Sequence, residues 1–84
     1  MNTKILNYRI IIEPDEEIGT GKPGFTAYCP TLGIADDGDT IEESLKNIKS
    51  LIQFHLKCLK EEKQEIISDK SDSALLTNIS ITYA

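Results

Sequence analysis

The chain has no tryptophan, one histidine and two cysteines in 84 residues, and only 6% of it is aromatic. Cys29 and Cys58 fall short of a disulfide framework, and neither sits in a CxxC pair or near a histidine at zinc-finger spacing. They read as buried thiols. No run of 18 apolar residues occurs, and the opening MNTKILNYRIII passes into alternating sequence without a small-residue cleavage site. Neither a membrane span nor a signal peptide is expected, which makes the cytoplasm the expected compartment. Basic residues are scarce where acids are dense: residues 1–43 hold nine acids against Lys4, Arg9 and Lys22, while residues 44–84 hold five acids against six bases. With no basic arm to displace counterions, direct nucleic-acid binding is not expected. A basic protein partner would be drawn to the acidic half, although such a surface also serves solubility alone.

Eighty-four residues suit one small domain. Folding at this length buries roughly 60–65% of the unfolded surface, so one core is feasible but marginal and self-association would help it. From residue 4 to 13, Leu6, Tyr8, Ile10 and Ile12 share one parity and Asn7, Arg9 and Glu13 the other, the period of a strand with one buried face. Residues 14–24, PDEEIGTGKPG, hold two prolines and three glycines and read as a loop. A second strand over 25–30 turns Phe25, Ala27 and Cys29 inward and stops at Pro30. A short extended piece, 32–35, leads to a turn at Asp36-Asp37-Gly38-Asp39.

Thr40-Ile41-Glu42-Glu43 has the form of a capping box, in which the Thr40 hydroxyl and the Glu43 carboxylate each satisfy a free amide. Ile41, Leu45, Ile48, Ile52, Leu56 and Leu59 then recur at steps of three and four, predicting a helix of about 22 residues. A second stripe, Leu51, Phe54 and Cys58, is an expected homodimer or higher oligomer contact, weighed against a broad core face. Residues 64–77 look irregular, and alternation of Ile79, Ile81 and Tyr83 predicts a last strand over 78–83. The expected fold is therefore α+β, β-β-β-α-β, with an antiparallel sheet covered by one long helix.

Little here suits catalysis. His55 lies inside the helix stripe, and a Cys58/His55 pair at i, i+3 is geometrically able to activate a thiol, though packing explains both residues. Asp36, Asp37 and Asp39 offer carboxylates for a divalent ion, but without the spacing of a calcium-binding loop, and acids beside a helix start need no metal to explain them. The GTGKPG of 19–24 lacks phosphate-loop spacing. No cofactor or metal and no enzymatic activity is expected.

Tyr28-Cys29-Pro30-Thr31-Leu32-Gly33, followed by Gly38-Asp39-Thr40-Ile41-Glu42-Glu43-Ser44-Leu45-Lys46-Asn47-Ile48, resembles the HicB family of antitoxins. The resemblance covers roughly residues 5–62, with Ser44 where that family usually has alanine. It implies a partial ribonuclease H-like fold without the nuclease site, which binds and silences a HicA toxin, a small basic ribonuclease. Many members continue into a DNA-binding domain; with Ala84 as the last residue, a single HicB-like domain over 1–84 without that extension is expected. The motif residues Pro30, Gly33, Gly38, Asp39, Thr40, Glu43 and Asn47 read as structural, with Asn47 tying the helix to the preceding loop. Asp15, Glu16, Glu17, Asp36 and Asp37 are the candidate partner-binding residues. The competing readings are a self-associating scaffold without a toxin and a metal-dependent nuclease on the aspartate turn.

Overall fold

The structure, a computed structural model, describes residues 5–16, 19–69 and 77–83. Its elements are β1 (Ile11–Glu16), β2 (Pro23–Cys29), β3 (Ile34–Gly38) and α1 (Ile41–Glu61), in that order. This is an α+β fold. The strands form an antiparallel meander with β2 in the centre. Register places Ile12 opposite Ala27 and Ala27 opposite Asp36, so these residues share one face, together with Phe25, Cys29, Ile34 and Gly38. Helix α1 covers that face: Ala27, Cys29, Ser44 and Ile48 are fully buried between the two layers.

The strand boundaries differ from the alternation pattern for a reason of pairing. Residues 5–10 keep the predicted parity, with Leu6, Tyr8 and Ile10 half-buried, but β2 reaches only as far as the Ile11–Tyr28 pair. The ladder instead runs forward into Pro14, Asp15 and Glu16, expected as loop. An edge strand accepts a proline because one side of its backbone has no ladder partner. Likewise the expected turn at Asp36-Asp37-Gly38 is the last part of β3, pairing with Ala27, Thr26 and Phe25. The predicted strand over 78–83 is corrected: residues 77–83 carry no strand pairing, and their large apolar side chains are exposed. Alternation states which side a strand would bury, but it supplies no neighbour for the ladder.

The helix lies tight against β3. A Cβ at Gly38 would stand 2.5 Å from the Ser44 amide nitrogen and 2.8 Å from the Glu43 carbonyl carbon. Only glycine fits there. This explains why the small Ser44, rather than Ile41 or Leu45 of the expected stripe, is the buried residue of the first helical turns. Its hydroxyl donates to the Ile41 carbonyl (2.8 Å), so no polar atom is left without a partner. At the N-terminus the Glu43 amide donates to the Thr40 hydroxyl (3.0 Å). No return bond from the Glu43 carboxylate occurs among the described residues, so the capping box is half made. At the other end the Gln64 amide reaches back to the Leu59 carbonyl (2.8 Å) around Lys63, whose φ of 58° is left-handed.

A second tie closes the first extended stretch against the chain beyond the helix. The Asp69 amide donates to the Asn7 carbonyl (2.8 Å), while the Asp69 carboxylate accepts from the Arg9 amide (2.7 Å) and the Thr31 hydroxyl. The Tyr8 hydroxyl donates to the Ile67 carbonyl (2.6 Å). These bonds show in the titration of both groups. The Thr31 hydroxyl and then the Arg9 amide hold the Asp69 carboxyl below its ordinary range against the opposing effect of burial, with a lesser contribution from the Arg9 guanidinium. Partial burial, helped by nearby Cys29 and Asp69, pushes the Tyr8 phenol up.

Candidate functional site

Two acidic segments far apart in sequence meet at one end of the sheet. The β1–β2 hairpin brings Asp15 and Glu16 opposite Gly24 and Pro23, and the β2–β3 pairing sets Asp37 and Gly38 opposite Thr26 and Phe25. Together with the helix start they line a cleft of about 310 Å³. Its lining residues include five acids, Asp15, Glu16, Asp37, Asp39 and Glu43, and one base, Lys22. Lys22 Nζ lies 3.3 Å from Asp39 Oδ2, with both side chains more than half exposed, so this pair adds little to stability.

The cleft is held by bonds from below rather than by pairing across it. Asp15 Oδ2 accepts from the Thr26 hydroxyl (2.9 Å) and Asp15 Oδ1 from the Glu16 amide (2.8 Å), which fixes that carboxylate on the hairpin. The Asn47 amide donates to the Asp37 carbonyl (2.8 Å), tying the second turn of α1 to the end of β3. Gly24, whose Cβ would approach the Gly38 carbonyl oxygen to 3.1 Å, keeps the floor narrow. The result is a hydrogen-bonded base under exposed acidic side chains, an arrangement that presents negative potential without burying it.

Not every sequence candidate joins the cleft. Asp36 pairs with Ala27 and so belongs to the helix-facing side of β3, while its neighbour Asp37 points to the opposite face. Glu17 lies outside the described residues. Pro30 and Gly33 sit in the β2–β3 connection, where Gly33, at φ 69°, donates to the Cys29 carbonyl (2.8 Å). Among the described residues no three His, Cys, Asp or Glu side chains are grouped to hold a metal ion. His55 and Cys58 are both half-buried on α1, with no hydrogen bond between them among the described residues. Of the stripe proposed for self-contact, Phe54 is 64% exposed and Leu51 and Cys58 are half-buried. No helix among the described residues is long and apolar enough to cross a membrane. Sequence reasoning missed Lys22 as the one cation of the cleft and Asp69 as the hub of the second tie; neither lies in a recognisable motif.

The chain is 33% identical over 64 residues to a UPF0150 protein of Synechocystis sp., a match covering 75% of each chain. It belongs to the UPF0150 family. No protein-family model matches the chain, and no solved structure does. The UPF0150 name carries no activity with it, so the function has to be argued from the site.

Proposed function

We propose that this UPF0150 protein is a HicB-like antitoxin module that binds a small basic HicA-type ribonuclease in the cytoplasm and blocks its RNA surface. The observation that carries the reading is a cleft lined by five acidic residues and one lysine, assembled from two sequence-distant segments. A ribonuclease must present positive charge to a phosphate backbone, and an acidic cleft competes for the same surface. The HicB-like motif from Tyr28 to Ile48 supports it, since its residues build the floor of this cleft: Gly38 by close approach, Thr40 by capping and Asn47 by its bond to Asp37. Inhibition is steric, and the antitoxin performs no chemistry. Metal-dependent cleavage is the weaker reading, because Asp36 and Asp37 point to opposite faces of one strand and a two-metal site needs converging carboxylates.

The test is co-expression with a small basic protein encoded beside this one, followed by pull-down and growth rescue. The expected result is capture and rescue, lost when Asp15, Glu16, Asp37 and Asp39 are replaced together by Asn or Gln. Association should slow steeply as salt rises from low to physiological strength, because charges separated by more than about 8–10 Å are screened there. A toxic neighbour that is neither bound nor neutralised refutes the reading.

A further inference from the structure

Asp37 is the one aspartate or asparagine of the chain that a glycine follows. Glycine has no Cβ to shield its own amide, so in an Asp-Gly pair the side-chain carboxyl is open to attack by the next main-chain nitrogen. Packing leaves no substitute for this glycine, because a Cβ at Gly38 would stand 2.5 Å from the Ser44 amide nitrogen. Asp37 is exposed, and its carboxylate takes part in no hydrogen bond or ion pair among the described residues. We propose that Asp37-Gly38 is a site of spontaneous isoaspartate formation, gated by the bond from the Asn47 amide to the Asp37 carbonyl.

The step needs only the chain and water. The Gly38 nitrogen attacks Asp37 Cγ, a C–N bond forms, the amide proton and the carboxyl hydroxyl leave as water, and a cyclic succinimide remains. Water then reopens the ring. Attack at one carbonyl restores aspartate; attack at the other leaves the main chain running through the Asp37 β-carbon, with the former main-chain carbonyl as a free carboxylate. The strand controls access to this chemistry. The Asp37 amide donates to Asp36 Oδ1 (2.9 Å) and the Asp37 carbonyl accepts from the Asn47 amide (2.8 Å), so both main-chain groups of Asp37 point away from β2. By the alternation of an antiparallel ladder, Gly38 then turns its amide toward Phe25, its partner in register. The attacking nitrogen is free only when this last rung of β3 opens. A strand end opens at low cost, and the Asn47 bond opposes that opening. The product inserts a main-chain carbon where β3 meets α1, which removes the fit of Gly38 under Ser44. The inference rests on packing and main-chain geometry and is independent of the toxin reading.

Incubation of the full chain for weeks at physiological pH and temperature, then proteolysis and chromatography with mass detection, tests this. An isoaspartyl peptide keeps the mass of its parent but not its retention. Isoaspartate is expected at Asp37 well ahead of Asp15, Asp36, Asp39 and Asp69, each of which precedes a residue with a Cβ. Asn47→Ala should raise the rate about two- to tenfold, the effect of one lost hydrogen bond on the opening equilibrium. Thr40→Ala, which weakens the helix start without touching the Asn47 bond, should raise it less. Asp37→Glu should abolish the product, because glutamate closes only a larger and slower-forming ring. Circular dichroism checks that each variant keeps its helix. No product at Asp37 in the folded chain, product spread evenly over the aspartates, or equal rates in Asn47→Ala and Thr40→Ala overturns the inference.

Discussion

Replacing Gly38 with alanine adds one methyl group and should disrupt the junction on which both layers depend. The new Cβ would lie 2.5 Å from the Ser44 nitrogen, 2.8 Å from the Glu43 carbonyl carbon and 2.9 Å from the Ser44 Cα. All three are backbone atoms, so no side-chain rotation relieves the clash and the start of α1 must lift from β3. That movement strains the Asn47–Asp37 bond and loosens the cover over Ala27. Overpacking of this kind costs about 1–3 kcal/mol. With a urea m-value of about 1 kcal/mol per molar for so small a chain, the unfolding midpoint should fall by about 1–3 M. Gly33 supplies the control. Its φ is 69° and a Cβ there meets nothing within 4 Å, so Gly33→Ala costs the left-handed backbone penalty of roughly 1–2 kcal/mol with no clash. Gly33→Asn should recover part of that loss because asparagine tolerates the left-handed region, whereas Gly38→Asn should be no better than Gly38→Ala. A Gly38→Ala midpoint within error of the parent would refute the close-approach argument.

Thr40→Ala should lower stability by about 0.5–2 kcal/mol in the same urea assay, since it removes the acceptor for the Glu43 amide. Lys63→Gly should raise stability by about 0.5–1 kcal/mol, because the left-handed φ of 58° is strained for lysine and ordinary for glycine. The Asp69 carboxyl titrates lower in the folded chain than its ordinary 3.8, so its contribution is complete above that value and is lost as pH falls through the lower folded-state pKa. Acid unfolding followed by far-ultraviolet circular dichroism should accordingly lose part of its pH dependence below pH 3.8 in Asp69→Asn. A thiol reagent should modify half-buried Cys58 in the native protein well before the fully buried Cys29, and equal rates would contradict the packing of β2 under α1.

The parts of the fold that could be read from the sequence are those whose cause is local. Thr40 marks the helix start because a hydroxyl at that position accepts an amide whatever else is nearby. Ala27 and Cys29 show their burial by alternation. What failed needed a partner. Pro14 looks like a strand breaker until β1 is known to be an edge, and Ile79, Ile81 and Tyr83 look like a strand although no described neighbour pairs with them. Ser44 is the sharpest case. A hydropathy stripe assigns burial to Ile41 and Leu45, yet the helix rolls so that its smallest early residue meets Gly38. Backbone proximity, not hydropathy, chose that face.

The candidate site follows the same division. Composition alone showed that the first half is acidic, and the motif showed where its turns lie, but the cleft exists only because antiparallel pairing of β1 with β2 and β2 with β3 returns the ends of β1 and β3 to one side. Adjacent acids in sequence are therefore separated in space, as with Asp36 and Asp37, while Asp15 and Asp37, 22 positions apart, line the same cleft. On the proposed reading, that geometry sets the kind of partner. Carboxylates spread over about 310 Å³ on a backbone pinned by Thr26 and Asn47 cannot converge on one small ion, yet they match a surface with several basic side chains spaced across it. Replacing the carboxylates singly should then reduce the association rate in small, nearly additive steps, whereas a single chelated ion would make one substitution decisive.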